Sequence, residues 1–479
     1  MLKLNELLDT DVDLEISGIA MDSRVVKPGY LFVALRGSKS NGINFIDEAL
    51  SRGAKVILTS KENIKTDSRA IFIEDKNPRQ LLSLIASRFY SCQPKVIVAV
   101  TGTNGKTSVV NFISQIWTQA GLMAASIGTI GMIEPDNIFR SCKLTTPDPI
   151  TLHFNLDRMK KGGITHVALE ASSHGINQFR LDGVDINVSA FTNLTQDHLD
   201  YHNNMKAYMQ AKSRLFNEIM PKERIAIINI DSQMSNLLIK LCKNRDHLII
   251  TYGNNSKADI RLNKVTPVGD SQNISIVVMG TLYKLNIPIA GTFQISNIAC
   301  ALGLALATGI KQDVAVATLE KLHGVPGRMQ KVTTTHEGAQ IYVDYAHTPD
   351  GLENLLKALR LHVKNRLLLV FGCGGNRDIE KRSKMGNIAK LLADQVFVTD
   401  DNPRNENPAT IRAQIIKSCP DAIEVENRED AIRLAINSLK LGDLLVIAGK
   451  GHETVQIIED RIIPFDDVKQ VRRIITERI

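Results

Sequence analysis

The chain has no apolar run long enough to span a bilayer, no C-x-x-C cysteine pair, no block of basic residues and no internal repeat or low-complexity tract. The first absence removes a membrane-spanning helix, which needs about 20 apolar residues in a row. The second leaves six scattered cysteines, Cys92, Cys142, Cys242, Cys300, Cys373 and Cys419, which read as reduced core or loop thiols. The third bears on partners. The net charge of +7 is spread along the sequence, without aromatics interleaved with arginines, which argues against nucleic acid and suits a substrate rich in phosphate and carboxylate. The opening MLKLNELLDTDVDLEIS is too acidic for a secretory signal, so a cytoplasmic location is expected.

What is present is enough apolar material for several cores. At 479 residues and 43% hydrophobic, a norm of about 150 residues per domain predicts three. Short β-rich runs alternate with helical patterns, the signature of α/β architecture with mostly parallel sheets. A helix predicted over 80–90 stops before Ser91-Cys92-Gln93-Pro94, and Gly324, Pro326 and Gly327 interrupt a helical pattern before a strand predicted over 340–343. These breaks divide the chain into 1–92, 93–325 and 326–479.

The most informative stretch is VIVAVTGTNGKTSVVNF, residues 96–112, which joins an apolar strand to a glycine turn and then a helix. Gly102 and Gly105 permit a tight turn that aims successive N–H groups of Thr103, Asn104 and their neighbours at phosphate oxygens. Lys106 adds a cation, and Thr107 and Ser108 open a helix whose N-terminus favours an anion; the Thr107 hydroxyl is placed for Mg²⁺. The loop is shorter than G-x-x-x-x-G-K-[ST], because Val100 stands where that pattern has glycine.

In THVALEASSHGINQFR, residues 165–180, Glu170 ends an apolar strand, where open α/β sheets present ligand-binding groups. A strand predicted over 188–191 leads to Asp197, His198 and Asp200. Carboxylate oxygen and imidazole nitrogen can both join nucleotide oxygens around Mg²⁺, although a histidine after a strand ordinarily caps or hydrogen-bonds. In LLLVFGCGGNRD, residues 367–378, Gly372, Gly374 and Gly375 follow a strand as a dinucleotide loop would. Arg377 replaces the third glycine, and its planar fork points to carboxylate recognition instead. DNPR, residues 401–404, and GKGHE, residues 449–453, end further strands and read equally as turn chemistry.

Together TGTNGKT, LEASSHG, FTNLTQDHLDYH, GTFQISNIACALG, GRM, VDYAHTPD, FGCGGNRD, TDDNPRNENP and AGKGHE resemble the Mur ligase family, ATP-dependent enzymes that build the peptide stem of bacterial cell-wall precursors. They occur in the family's order and cover nearly all of the chain beyond residue 90. The resemblance implies a uridine-nucleotide-binding α/β domain, a central P-loop domain and a Rossmann-like C-terminal domain that binds an amino acid. It implies phosphoryl transfer from ATP to a substrate carboxylate, giving an acyl phosphate that an incoming amine attacks.

By the same resemblance, Lys106, Lys212 and His198 are catalytic, and Gly102 to Ser108 with Asn297, Arg328 and Asp344 hold ATP. Asp344 and His347 read as well as an Asx or capping turn before Pro349. Thr107, Glu170, His198 and Lys212 are implied as holders of Mg²⁺. Lys212, in KAYMQAKSRLFNEI, reads from its own surroundings as a solvated surface lysine on a helix over 206–219. The family instead carboxylates the lysine at this position with CO₂, a reaction of the neutral amine that burial near other charges favours.

The DSR at residues 22–24 and GYLFVALRG resemble the family's uridine-nucleotide domain. They imply that Met21, Ser23 and Ser38-Lys39-Ser40 meet a UDP-muramoyl-dipeptide, with Thr145, Thr146, Ser172, Gln178 and Arg180 on its peptide side; Leu144 stands where some relatives have asparagine. Arg377, Asp401, Asn402, Pro403, Arg404, Gly449 and Glu453 are implied around the incoming amino acid. Relatives that use lysine typically depart from DNPR at its arginine, so Arg404 favours meso-diaminopimelate, which carries a distal carboxylate that lysine lacks. A monomer without nucleic-acid or membrane partners is expected. The competing readings are the same ligation with L-lysine, the ligase of the following step (which should lack DNPR), a folylpolyglutamate-synthase-like ligase and a nucleotide switch.

Overall fold

The computed structural model describes residues 2–37, 40–60, 67–135, 138–140, 142 and 144–477, with the backbone alone at 199 and 200. Ser38 and Lys39 lie outside the described residues. Helices and strands alternate along the chain, and three larger sheets carry separate apolar cores. The expected α/β architecture with mostly parallel sheets is what the chain adopts.

The first sheet is four-stranded and parallel, ordered Gly18–Ala20, Tyr30–Val33, Val56–Ser60, Ile71–Asp75. Leu31 and Val33 face one core and Phe32 the other, as strand alternation requires. The following helix, Pro78–Phe89, starts two residues before the expected position. Asn77 caps it by accepting the Gln80 N–H, and Pro78 fits the first turn.

The central sheet has eleven strands and places the phosphate loop near its middle. Its order is Ile138–Arg140, Gly131–Glu134, Ala124–Gly128, His166–Glu170, Val96–Thr101, Val188–Phe191, Ile225–Asn229, Leu248–Gly253, Ile260–Val268, Ser271–Val278, Thr281–Ile287. Pairing is parallel from Ala124–Gly128 to Ile260–Val268 and antiparallel at both edges. Val98 and Val100 enter the core under helices Lys106–Gln119 and Thr292–Ala307, while Ile97 and Ala99 face the core under Pro149–Lys161. A strand covered on both faces reads as an unbroken apolar run, which is why this one stands out in the sequence. The helix expected over 206–219 is instead Met205–Arg214 followed by a π-helical turn, Leu215–Ile219. The wider turn carries the consecutive Leu215 and Phe216 into the same core.

The third sheet is ordered Gln330–Thr334, Gln340–Asp344, Leu444–Ala448, Leu367–Phe371, Gln395–Val398, Ile423–Glu424, parallel except for its first pair. The strand Leu444–Ala448 returns late in the chain to fill the gap beside Gln340–Asp344. The loops after Asp344, Phe371 and Ala448 therefore open side by side at the carboxyl edge, the usual ligand side of such sheets.

A fully buried ion pair fixes that edge from behind. Arg428 opens helix Arg428–Asn437 and reaches Asp467, the first residue of helix Asp467–Glu477, through two 2.8 Å hydrogen bonds. Its guanidinium also donates to the carbonyl of Ala448 at 3.0 Å, one residue before the GKGHE loop. Removing one partner strands a buried charge, so Arg428→Ala is expected to cost about 3–5 kcal/mol, read from the urea midpoint of the C-terminal transition. Arg428→Met combined with Asp467→Leu should cost far less, and an equal loss in both variants would show that packing, not charge, governs this site.

Candidate active site

The phosphate loop is built on glycine. Gly105 has φ 87°, and a Cβ there would lie 2.4 Å from Asn297 Oδ1; a Cβ on Gly102 would lie 1.9 Å from Thr192 Oγ1. Only glycine permits both the left-handed backbone and the close approach. Lys106 folds its ammonium over the loop, donating to the carbonyls of Gly102 at 2.9 Å and Thr103 at 2.8 Å. Lys212 reaches the same Gly102 carbonyl at 2.7 Å from the opposite side. Lys106, Thr107 and Ser108 form the first turn of the helix and line a cavity of about 290 Å³, where its free N–H groups favour an anion.

That cavity gathers most of the expected nucleotide set. Thr103 to Ser108, Asn297, Arg328 and Asp344 line it together with Glu170, His198 and Lys212. Glu170 is buried, accepting from Thr107 Oγ1 at 3.0 Å, Thr129 N at 2.7 Å and Thr129 Oγ1 at 2.9 Å. Arg328 donates to Thr107 Oγ1 at 3.1 Å and stacks over the Tyr345 ring at 4.1 Å. Asp344 combines both expected readings: its carboxylate accepts the Met329 and Ala346 N–H groups, the second closing an Asx turn, while the residue lines the cavity.

The charges in this space are strongly perturbed. Burial, opposed by the neighbouring Asp197 carboxylate, pushes His198 down to about 3, so its imidazole is neutral with a lone pair available. His347 falls to about 4 through burial and the nearby Lys381 cation. Lys212, 1% exposed, is held well below the ordinary lysine value by burial and by Lys106. The expectation of a solvated surface lysine is corrected here, because helix Met205–Arg214 presses this face against the loop and the core. Thr107 hydroxyl, Glu170 carboxylate and His198 imidazole share the cavity, two oxygen donors and one nitrogen that can join phosphate oxygens around Mg²⁺. The described residues hold no ready cluster of three His, Cys, Asp or Glu. Magnesium bound largely by water and phosphate oxygens requires none.

The expected amino-acid residues form a second group beyond the carboxyl edge of the C-terminal sheet. Asn402 Nδ2 donates to Glu453 Oε2 at 2.9 Å, and a Cβ on Gly449 would meet Asp401 Oδ2 at 2.8 Å. Arg404 donates to the Gly375 carbonyl at 2.9 Å, and Arg377 lies close enough to repel it. Pro403 sits against Gly375, whose missing Cβ leaves room for the Pro403 carbonyl. On the sugar-nucleotide side, Thr145 and Ser172 line the cavity, and Thr146 donates to the Glu170 carbonyl at 2.7 Å. Arg180 donates to Thr146 O and to Gln178 Oε1, each at 2.7 Å. Met21, Ser23 and Ser40 stand apart in the N-terminal unit, where the Ser23 hydroxyl is spent on Glu48 Oε2 at 2.6 Å.

Sequence reasoning missed several contributors. Thr129 orients Glu170, and Asp350 accepts from Asn104 Nδ2 at 2.7 Å and so ties the phosphate loop to helix Pro349–Arg360 of the C-terminal unit. Tyr345 and Lys450 lie inside quoted motifs without an assigned role. Thr129 carries no sequence signal, since its partners lie far along the chain.

Three family models match the chain: "Mur ligase family, catalytic domain" over 15–90, "Mur ligase middle domain" over 100–305 and "Mur ligase, glutamate ligase domain" over 327–451. A UDP-N-acetylmuramoyl-L-alanyl-D-glutamate–2,6-diaminopimelate ligase from Bradyrhizobium diazoefficiens is 45% identical over 488 aligned residues, covering all of both chains. A solved structure of a ligase of that name is 34% identical, with TM-score 0.72 over 100% of this chain and 99% of the other. A MurF ligase from Thermotoga maritima, solved with ADP, shares the fold at TM-score 0.67 and 18% identity, covering 96% of this chain and 98% of its own.

A buried amine is a stability cost that function retains. The folded chain binds the Lys212 proton only at a lower pH than the unfolded chain does, so this residue weakens the fold most at low pH, and the deficit shrinks as pH rises toward the ordinary value. In carbon-dioxide-free buffer, Lys212→Met is expected to raise the melting midpoint at pH 7 and to flatten its dependence on pH. A lower midpoint at every pH would mean that the amine is not buried at a cost.

Proposed function

The chain belongs to the Mur ligase family, and from that premise we propose that it joins meso-diaminopimelate to UDP-N-acetylmuramoyl-L-alanyl-D-glutamate in an ATP-dependent step of peptidoglycan precursor synthesis. ATP is the co-substrate, leaving as ADP and phosphate. The observation that carries the reading is the shared cavity: a phosphate loop, a buried acid and a buried amine converge there, and the amino-acid residues of DNPR and GKGHE open from the adjoining sheet edge. The domains divide at 92/93 and 325/326, and the enzyme works as a cytoplasmic monomer. Among the described residues no helix is long and apolar enough to cross a membrane.

The chemistry is phosphoryl transfer followed by acyl transfer. An oxygen of the substrate carboxylate attacks the γ-phosphorus, the bond to the β-phosphate oxygen breaks, and ADP departs with that electron pair. The incoming amine, having lost a proton, then attacks the acyl carbon and expels phosphate. Both steps depend on placing charge more than on covalent help from the protein. Lys106 and the helix N-terminus receive the phosphate oxygens, and Arg328 adds a cation from the C-terminal unit. Magnesium, held by Thr107, Glu170, His198 and Lys212 as its carbamate, would supply further neutralisation of phosphate charge. Lys212 forms that carbamate when its neutral amine adds to CO₂ and releases one proton. Asn297 contacts the nucleotide, Asp344 holds the ribose edge, and Arg377 with Arg404 takes the amino-acid carboxylates while Glu453 and Asp401 take an ammonium.

Lys106→Ala is expected to abolish ligation in a protein that melts like wild type, and wild-type turnover would sink the phosphate-loop assignment. Lys212→Ala should be nearly inactive and regain part of its activity with added short carboxylic acids; full activity without them would make Lys212 a bystander. Arg404→Ala should lose about 1.5–3 kcal/mol of diaminopimelate binding, tenfold or more, with lysine much less affected. Ligation rates over a range of each amino acid decide this. Equal losses would assign Arg404 to structure, and a wild-type preference for lysine would overturn the choice of diaminopimelate.

A further inference from the structure

Lys450 is wholly buried, immediately after Gly449 at the end of strand Leu444–Ala448. Its ammonium donates to Asn402 Oδ1 at 3.0 Å and Glu453 Oε2 at 3.3 Å, and it stands 3.8 Å from Asp401 Oδ1. Burying an ammonium is expensive unless such partners converge on it. These partners come from two loops, the one after Gln395–Val398 and the one carrying Lys450 itself.

The bonding is uneven in an informative way. Asn402 Oδ1 accepts from both Lys450 and the Ile457 N–H at 3.0 Å, so the amide can face only one way, with Nδ2 toward Glu453 Oε2. Glu453 Oε2 thereby takes two donors, while Oε1 carries no hydrogen bond among the described residues. Arg428, another buried cation of this sheet edge, forms instead a closed two-bond pair with Asp467, with both oxygens engaged. A purely structural tie looks like Arg428; Lys450 holds its partners by one side and leaves the other exposed to a ligand.

We propose that Lys450 is a positioning residue of the amino-acid site: it fixes Asn402 and Glu453 so that Glu453 Oε1 and one Asn402 amide hydrogen stay free for the ammonium and a carboxylate of the incoming amino acid. The inference rests on reading the residues around Arg404 and Glu453 as that site. Lys450 also sets its charge. With Arg377 and Arg404 it places three cations against the carboxylates of Asp401 and Glu453, a balance that favours a substrate with an extra carboxylate over one without.

The test is steady-state kinetics with each substrate varied in turn, using the full-length enzyme. Lys450→Met should raise the KM for diaminopimelate about tenfold or more while the KM for ATP stays within about twofold. In a Glu453→Gln background, Lys450→Met should add clearly less than it does in the wild type, because one of the two side chains through which it acts has lost its charge. If the single variant does not fold, the double variant, relieved of one unpaired carboxylate, still gives the second comparison. An unchanged amino-acid KM, a uniform fall in kcat alone, or independent effects in the two backgrounds would overturn the role of Lys450. A wild-type enzyme that forms no product with diaminopimelate would instead overturn the proposed function, and this role with it.

Discussion

Two lysine ammonium groups converge on one carbonyl oxygen, that of Gly102, and the site is arranged around the consequences. A single neutral acceptor cannot offset two cations, one of them fully buried. Lys212 gives way, its proton held less tightly under burial and the Lys106 charge. Lys106 stays close to the carboxylates of Glu170 and Asp197, which oppose the downward pull of its own burial. The loop is left short of negative charge, with cations, helix N–H groups and a neutral imidazole all turned toward it. An anionic phosphate chain relieves that imbalance, and so does a carbamate on Lys212.

Strand register brings these groups together. Glu170 pairs with Val100, and Phe191 with Thr101, so the acid, the phosphate loop and the segment leading to His198 leave three neighbouring strands at one level. The C-terminal sheet repeats the device, with Asp344 paired to Ala448 and Val370 to Ile447. Polar contacts across the two units are Asn104 to Asp350, Arg328 to Thr107, and Lys384 to Gln196 at 2.9 Å, beside apolar packing of Ala290 and Phe293 against the C-terminal core. The polar bonds exchange readily for bonds to a ligand.

The phosphate loop was legible because its physics is local: an apolar run, two glycines, a lysine and a helix start lie within 17 residues, and the α/β pattern follows from buried strands that do not alternate. Lys212 was not legible from its neighbours. Its helix looks like many solvated ones, and only the packing of Tyr208, Met209 and Ser213 against the loop and core removes the lysine from water. Ser23 shows the converse. Its motif resembles a nucleotide contact, and the partner that orients its hydroxyl, Glu48, lies 25 residues away. Asp344 looked like either a turn or a ligand group and proved to be a turn residue facing the cavity. Lys450 sat in a recognised motif, yet its burial follows from a loop about 50 residues earlier in the chain.

Arg404 shows how far the amino-acid pocket is set before a ligand arrives. It holds a left-handed backbone, φ 53°, a conformation that costs a non-glycine residue on the order of 1–3 kcal/mol and persists only when its surroundings impose it. They do so through the hairpin Val455–Ile458 and Arg461–Pro464: Arg404 N donates to the Ile457 carbonyl at 3.1 Å, and Glu459 N donates back to Arg404 O at 2.7 Å. The second hairpin strand is exposed throughout and adds little to the core, so holding Arg404 is the hairpin's evident contribution. The absence of a Cβ on Gly374 then lets the guanidinium close to 2.9 Å from where that atom would be. Nη1 is spent on Gly375 O, and Nε and Nη2 make no hydrogen bond among the described residues. Burial and the Arg377 charge already depress this cation, so its desolvation is settled in the folded chain. A carboxylate arriving there meets a pre-aimed fork, whereas an aliphatic end would leave a half-buried guanidinium unpaired.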